Sequence, residues 1–264
     1  MKRRRHRPSR RAAGVEPEQV LHYDGPLPPG RTVHLGGSEA DHALRSLRVR
    51  TGDPLCLADG RGGRHHGRVV GIDRGRLDLE ITRSETLPVW PRRSFHLALG
   101  VLRSTRMDVA VEKASELGVE RFVPLVLKHC VARPLEDGVK SDRWHRLAVA
   151  SLKQSKRGVL MEVAEPRDLE SFLAELPPVR SLWLADPEGE PPAALAAIRE
   201  VSGPAVLVCG PEGGIAPEER RLLVERGAKR VSLGGNRLRA ETAAVALAAL
   251  ALGLSGAMES APES

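Results

Sequence analysis

The strongest constraint on the fold is an alternation between residues 95 and 252, where short apolar segments take turns with segments of helical length. Residues 95–101, 121–126, 160–163, 181–185, 205–209 and 230–233 read as strands. Residues 107–117, 142–155, 168–175, 193–200, 217–226 and 241–252 read as helices. Such alternation predicts an α/β fold: a mostly parallel sheet with helices on both faces. Pro217 suits the first turn of its helix, and Gly227 suits the position just past its end. In open sheets of this kind ligands bind in the crevice beyond the carboxyl ends of the strands. Two glycine-rich loops sit at strand-to-helix handovers. One is Gly210-Pro211-Glu212-Gly213-Gly214; the other is Leu233-Gly234-Gly235-Asn236-Arg237-Leu238-Arg239. They are placed to form opposite walls of one small-molecule pocket.

Upstream the pattern differs. Residues 32–35, 54–57, 68–72 and 77–81 are short β-like runs, punctuated by Gly36-Gly37, Asp59-Gly60 and Asp73-Arg74-Gly75-Arg76. One short helix fits residues 39–48. Regularly spaced short strands predict a small β-barrel over residues 19–85. Residues 86–93 hold Pro88 and Pro91 and read as a linker to the α/β domain, residues 94–255. Residues 1–18 and 256–264 read as disordered tails.

The chain has 41 Lys and Arg against 34 Asp and Glu, and Lys2, Arg3, Arg4, Arg5, Arg7, Arg10 and Arg11 supply the whole excess. The body is therefore formally neutral, and its net charge does not argue for nucleic acid. The basic tail fits either phosphate binding or a solubilising extension. Three Trp, three Phe and one Tyr are too few for a binder that stacks base after base. Recognition of RNA by shape, phosphate and one extruded base stays open. No apolar run is long enough to span a bilayer, and no apolar stretch follows the N-terminal charge as in a secretory signal. Cys56, Cys130 and Cys209 are too scattered for a disulfide framework or a zinc site. A cytoplasmic protein without a metal is expected. His34, His42, His65, His66, His129 and His145 lack metal-ligand spacing and read as exposed polar residues.

Gly213 and Gly214 let backbone amides approach a ligand closely. The first loop lacks the Lys-Ser/Thr pair of a P-loop and the glycine spacing of the dinucleotide fingerprint, which disfavours triphosphates and NAD. In the second loop, Glu241 at the start of the last helix complements the macrodipole. Arg239 reads either as the salt-bridge partner of Glu241 or as a group that reaches substrate oxygens or phosphate.

Shorter motifs accompany the loops: Lys113-Ala114-Ser115-Glu116-Leu117-Gly118-Val119, then Gln154-Ser155 with Arg157, and upstream His42, Leu47-Arg48, Gly52-Asp53 and Asp59-Gly60. In this order and spacing, the chain resembles the 16S rRNA (uracil-N3)-methyltransferases of the RsmE type, in the SPOUT superfamily, over nearly its whole length after the tail. The resemblance implies a PUA-like β-barrel that binds RNA and an α/β domain whose C-terminal part forms a deep trefoil knot, a feature nearly absent from other proteins. It also implies S-adenosylmethionine held in the knot, a homodimer, and methylation of N3 of one uridine in 16S rRNA, free or in the assembled small subunit. By match to the family's loops, Leu184, Gly210, Glu212, Gly213, Gly214, Leu233, Gly234, Leu238 and Thr242 form the cofactor pocket. The chain departs from the family at Asn236-Arg237, where Arg and then an aliphatic residue is usual, and at Lys153, where Glu often precedes the Gln-Ser motif.

Uracil N3 is a poor nucleophile until its proton leaves. The reaction needs a base, or a cation that stabilises the charge developing on O2 and O4. Arg239 fits the cation, with Glu241 holding it, while Gln154 and Arg157 are expected to orient base or backbone from another wall. Arg45, Arg48, Arg50, Arg61, Arg64 and Arg68 are the expected phosphate contacts of the barrel. Two other readings stay open: a knotted methyltransferase acting on a ribose 2′-hydroxyl of tRNA or rRNA, and a non-catalytic ribosome-assembly factor that only binds RNA.

Overall fold

The structure is a computed structural model that describes residues 19–88, 91, 93–131, 140–176 and 181–257. The expected tail at 1–18, positions 258–264 of the expected tail at 256–264, and linker positions 89, 90 and 92 lie outside the described residues, whereas Ala257 is described and buried. Contacts divide the chain into two compact units. One runs to Asp59 and includes Arg64–Glu85; the other takes Gly60–Gly63 and the chain from Thr86.

The first unit is a five-stranded sheet: β1 (Val20–His22), β2 (Thr32–Leu35), β3 (Pro54–Ala58), β4 (Gly63–Asp73) and β5 (Arg76–Thr86), in the order β1-β3-β4-β5-β2. Along β5, Leu77, Leu79 and Ile81 are buried at every second position and join Leu21, Val33, Leu35, Leu55 and Leu57 in one core. Arg74 and Gly75 link β4 to β5 with φ of 43° and 80°. Two positive φ values in succession are what a type I′ hairpin requires, and its twist matches the strands. The expected helix 39–48 is divided. Helix α1 (Gly37–Asp41) runs into a π-helical turn, His42–Ser46, whose wider loop joins the Leu47 N–H to the His42 carbonyl.

His65 and His66 depart from the expected exposed positions, because both belong to β4 and neither is exposed. His65 is buried, and its ring nitrogens meet Ser84 Oγ at 2.8 Å and Asp59 Oδ2 at 3.3 Å. His66 Nε2 lies 2.9 Å from Glu85 Oε1. The polar partners compensate the burial.

The second unit contains β6 (Phe95–Gly100), α2 (Ser104–Leu117), β7 (Arg121–Val126), α3 (Lys140–Ser155), β8 (Glu162–Val163), β9 (Arg167–Asp168), α4 (Leu169–Glu175), β10 (Leu182–Glu190), β11 (Ala205–Cys209), α5 (Pro217–Glu225), β12 (Lys229–Val231) and α6 (Ala240–Leu254). Its sheet runs β12-β10-β11-β6-β7-β8, with β9 also on β7, and these pairs are parallel. Side chains alternate across it. Phe95, Leu97 and Leu99 of β6 join Leu207 of β11 in a core with α2, α3 and α6. Ala98, Val206, Val208 and Leu184 join Phe172 of α4 and Leu223 of α5 in the core on the other face.

Residues 193–200 differ from the expected α-helix: Pro192–Glu200 is a 3-10 helix. A three-residue period puts Leu195 and Ile198, both fully buried, on one face. Pro191 and Pro192 contribute no N–H to its first turn.

Candidate functional site

Parallel pairing brings the carboxyl ends of β6, β10, β11 and β12 to one edge of the sheet. The loops that follow β11 and β12, with Leu184, Ala185, Asp186 and Pro187 of β10, enclose a cavity of about 860 Å3 there. A local feature lets them close. Gly100 ends β6, and a Cβ on it would lie 2.5 Å from Pro211 Cδ and 2.6 Å from Pro211 N. Only a residue without a side chain lets the first glycine-rich loop fold over that strand end. The loop then tightens through a 2.9 Å bond from the Gly214 N–H to the Pro211 carbonyl. Glu219 Oε2 accepts from the Ala216 N–H at 3.0 Å, which starts α5. Helix α6 opens on the opposite wall, with Arg239 as its N-cap residue.

Leu184, Gly210, Glu212, Gly213, Gly214, Leu233, Gly234, Leu238 and Arg239 all line this cavity. Thr242 does not, and its helix contributes Ala240 and Ala243 instead. Gln154 and Arg157 do not line it either. Gln154 is exposed near the end of α3, and Arg157 Nη1 donates to the Ser115 carbonyl in α2. Burial lowers the pKa of that guanidinium.

Three lining residues carry charge that sequence patterns did not reveal: Arg106, Asp186 and Arg220. Arg106 Nη1 lies 3.2 Å from Glu212 Oε1, and its Nε lies 3.9 Å from Glu241 Oε1. The second oxygens of Glu212 and Glu241 are buried without a hydrogen-bond partner. Asp186 Oδ2 meets Arg230 Nε at 2.7 Å and Arg220 Nε at 3.2 Å. Cys209 also lines the cavity, and burial pushes its thiol up to about 12. Arg237 and Arg239 are exposed and line the cavity without an ion pair among the described residues.

Arg45, Arg48, Arg50 and Arg68 are exposed on the first unit, and Arg64 is half-buried there. Arg45 lies 3.4 Å from Asp41, and Arg68 Nη1 donates to the Gly52 carbonyl. Arg61 instead belongs to the second unit, where it forms a β-bridge with Val159. Among the described residues no cluster of His, Cys, Asp or Glu could hold a metal, and no helix is long and apolar enough to cross a membrane.

Residues 90–252 match the RNA methyltransferase domain family, and residues 35–82 match the RNA methyltransferase PUA domain. The chain is 32% identical over 251 residues to ribosomal RNA small subunit methyltransferase E of Mycobacterium bovis, across 91% of this chain and 92% of that one. It is 31% identical over 242 residues to the protein of the same name from Synechocystis, across 89% and 75%. A crystal structure of ribosomal RNA small subunit methyltransferase E from Neisseria gonorrhoeae, bound to S-adenosyl methionine, matches with a TM-score of 0.81 and 28% identity, covering 89% of this chain and 97% of that one. Domain matches on both units, with a relative aligned along nearly the whole chain, show that the chain belongs to the RNA methyltransferase family that includes the ribosomal RNA small subunit methyltransferases E.

Proposed function

We propose that this chain methylates N3 of a uridine in the 16S rRNA of the small ribosomal subunit, with S-adenosylmethionine as donor. The observation that carries the reading is the single cavity shared by both glycine-rich loops and Leu184, in a fold whose relative from N. gonorrhoeae was crystallised with S-adenosyl methionine.

The residues present fit that cofactor. Leu184, Ile215, Leu233 and Leu238 give apolar wall, and among the described residues no lysine of the kind that grips phosphates lines the cavity. Glu212 Oε2 is a buried acceptor without a donor, which suits a ligand carrying positive charge. When bound, the cofactor supplies an electrophilic methyl group on a sulfonium. Gly210, Glu212, Gly213 and Gly214 on one side and Leu233, Gly234 and Leu238 on the other hold it. Arg239, exposed at the cavity, stabilises the negative charge that builds on uracil O2 and O4 as N3 loses its proton. Burial keeps the Cys209 thiol protonated, so it does not compete for the methyl group.

The first unit supplies the RNA grip through Arg45, Arg48, Arg50, Arg64 and Arg68. A knotted C-terminal segment and a homodimer belong to the same reading. Two features support the threading. The last strand, β12, lies beside β10 rather than β11, and a Cβ on Gly189 of β10 would sit 2.4 Å from Val231 N.

Mass spectrometry of 16S rRNA from cells with and without the protein tests the function. The expected result is one N3-methyluridine that disappears with the gene. Loss of a ribose 2′-O-methyl group would move the reading to the sugar. No change at either position would leave an assembly factor that only binds RNA.

A further inference from the structure

Glu241 lies two positions after Arg239, and sequence alone makes that arginine the natural partner of the carboxylate. The geometry gives Glu241 a different one. Arg106, in the first turn of α2, places Nε 3.9 Å from Glu241 Oε1 while Nη1 lies 3.2 Å from Glu212 Oε1. Arg239 makes no ion pair among the described residues.

The charges explain why this choice matters. The Glu241 and Glu212 side chains are 13% and 21% exposed, and one oxygen of each is buried without a partner. Two carboxylates with so little water need a cation nearby. With Arg106 between them the cluster carries one net negative charge. Without it the cluster carries two, and Arg239 is the next cation along the chain from Glu241. A guanidinium captured by Glu241 no longer meets charge on a substrate.

We infer that Arg106 is a positioning residue for methyl transfer. As shared counter-ion of Glu212 and Glu241, it keeps Glu241 from engaging Arg239 and so leaves the Arg239 guanidinium to the uracil. This rests on the methyl-transfer reading above. Arg106 forms and breaks no covalent bond; it acts through Glu241 and Arg239.

The test combines steady-state methylation of small subunits, calorimetric titration with S-adenosylmethionine, and thermal melts. The proteins are wild type, Arg106→Ala, Arg106→Lys and the double variant Arg106→Ala/Glu241→Gln, with Arg106→Gln in place of alanine should the alanine variant not fold. Arg106→Ala is expected to lower kcat about tenfold or more, with cofactor Kd within about threefold of wild type. Arg106→Lys restores part of the loss. The double variant restores most of it, because the carboxylate that would capture Arg239 is gone. A purely structural role predicts that melting temperature and kcat fall together and that the second substitution rescues neither. Absent rescue, or wild-type turnover in Arg106→Ala, overturns the inference. Wild-type protein that neither binds the cofactor nor methylates overturns the methyl-transfer reading and this inference with it. An active wild type whose double variant is not rescued overturns this inference alone.

Discussion

Asp186 Oδ2 accepts a 2.7 Å hydrogen bond from Arg230 Nε, which ties β10 to β12 where their register shifts. Only 2% of the Asp186 side chain is exposed. Its Oδ1 accepts from the Glu188 N–H at 3.0 Å, and Arg220 Nε lies 3.2 Å from Oδ2. Asp186 and Arg220 both line the cavity, so the network that fixes this part of β10 also shapes the cavity wall. A carboxylate buried this deeply is stable as an anion only while its cations stay in place.

Asp186→Asn keeps the shape and removes the charge. Its expected cost is about 2 kcal/mol, the scale for a hydrogen bond to a charged group, and the cost depends on pH. Burial alone would raise the Asp186 pKa. The bonds from Arg230 and the Glu188 N–H, with the charges of Arg220 and Arg230, outweigh burial and hold it below the ordinary value. A folded pKa below the unfolded one, about 3.9, means the stabilisation is complete above that pH. It is lost as pH falls through the folded value. Melting temperatures of wild type and Asp186→Asn should therefore differ by a constant gap between about pH 8 and pH 5, and the gap should close below about pH 4. A gap unchanged in strong acid would show that charge is not what this site uses.

Gly100→Ala acts on the opposite wall. The new Cβ would meet Pro211 Cδ and N at 2.5 and 2.6 Å. A proline ring and its backbone nitrogen cannot swing aside as a long side chain can, so the first glycine-rich loop must move. Overpacking of this kind costs about 1–3 kcal/mol. Cofactor affinity measured by calorimetry should fall about tenfold or more. Cofactor binding at wild-type strength would mean that the loop holds no ligand.

The centre of the sheet was legible because β6, β7 and β11 each carry an apolar run, and strand-to-helix loops name the ligand edge without any long-range information; β9, Arg167–Asp168, carries none and was not expected. What escaped sequence reading is long-range or polar. Arg106 meets Glu212 across 106 positions of chain, and no spacing rule links residues so far apart. Strand β10 extends through Asp186-Pro187-Glu188-Gly189-Glu190, which has no apolar pattern; its far end is held by pairing of Glu190 with Val231. The family motif places Thr242 at the pocket, whereas Ala240 and Ala243 line it. Successive helical residues point about 100° apart, so a motif fixes the turn of helix but not the side that faces a ligand. The histidines of β4 escaped because their partners, Asp59, Ser84 and Glu85, come from separate strand ends.

Arg239→Ala separates charge stabilisation from cofactor binding. A single well-placed donor to a developing anion is worth about 3 kcal/mol, or roughly a hundredfold in rate. Turnover should fall by that factor, while S-adenosylmethionine Kd stays within about threefold of wild type. Equal losses in turnover and affinity would show that Arg239 builds the cavity wall rather than serving the transition state.

RNA affinity should depend on the exposed arginines of the first unit. Each phosphate that an arginine neutralises contributes about 0.7 to 0.9 to the slope of log affinity against log salt. Arg50→Ala removes one such charge from an exposed position. Arg48 needs a different replacement because its φ is 54°, and Arg48→Asn removes the charge while tolerating the left-handed backbone. Each variant should weaken RNA binding and reduce the slope by about one, with cofactor affinity unchanged. Arg167 of the second unit already pairs with Glu175, so Arg167→Ala should leave the slope as it is. If the slope instead fell with Arg167 and held with Arg48 and Arg50, the phosphate path would run over the α/β unit, and the first unit would owe its place in the chain to something other than charge.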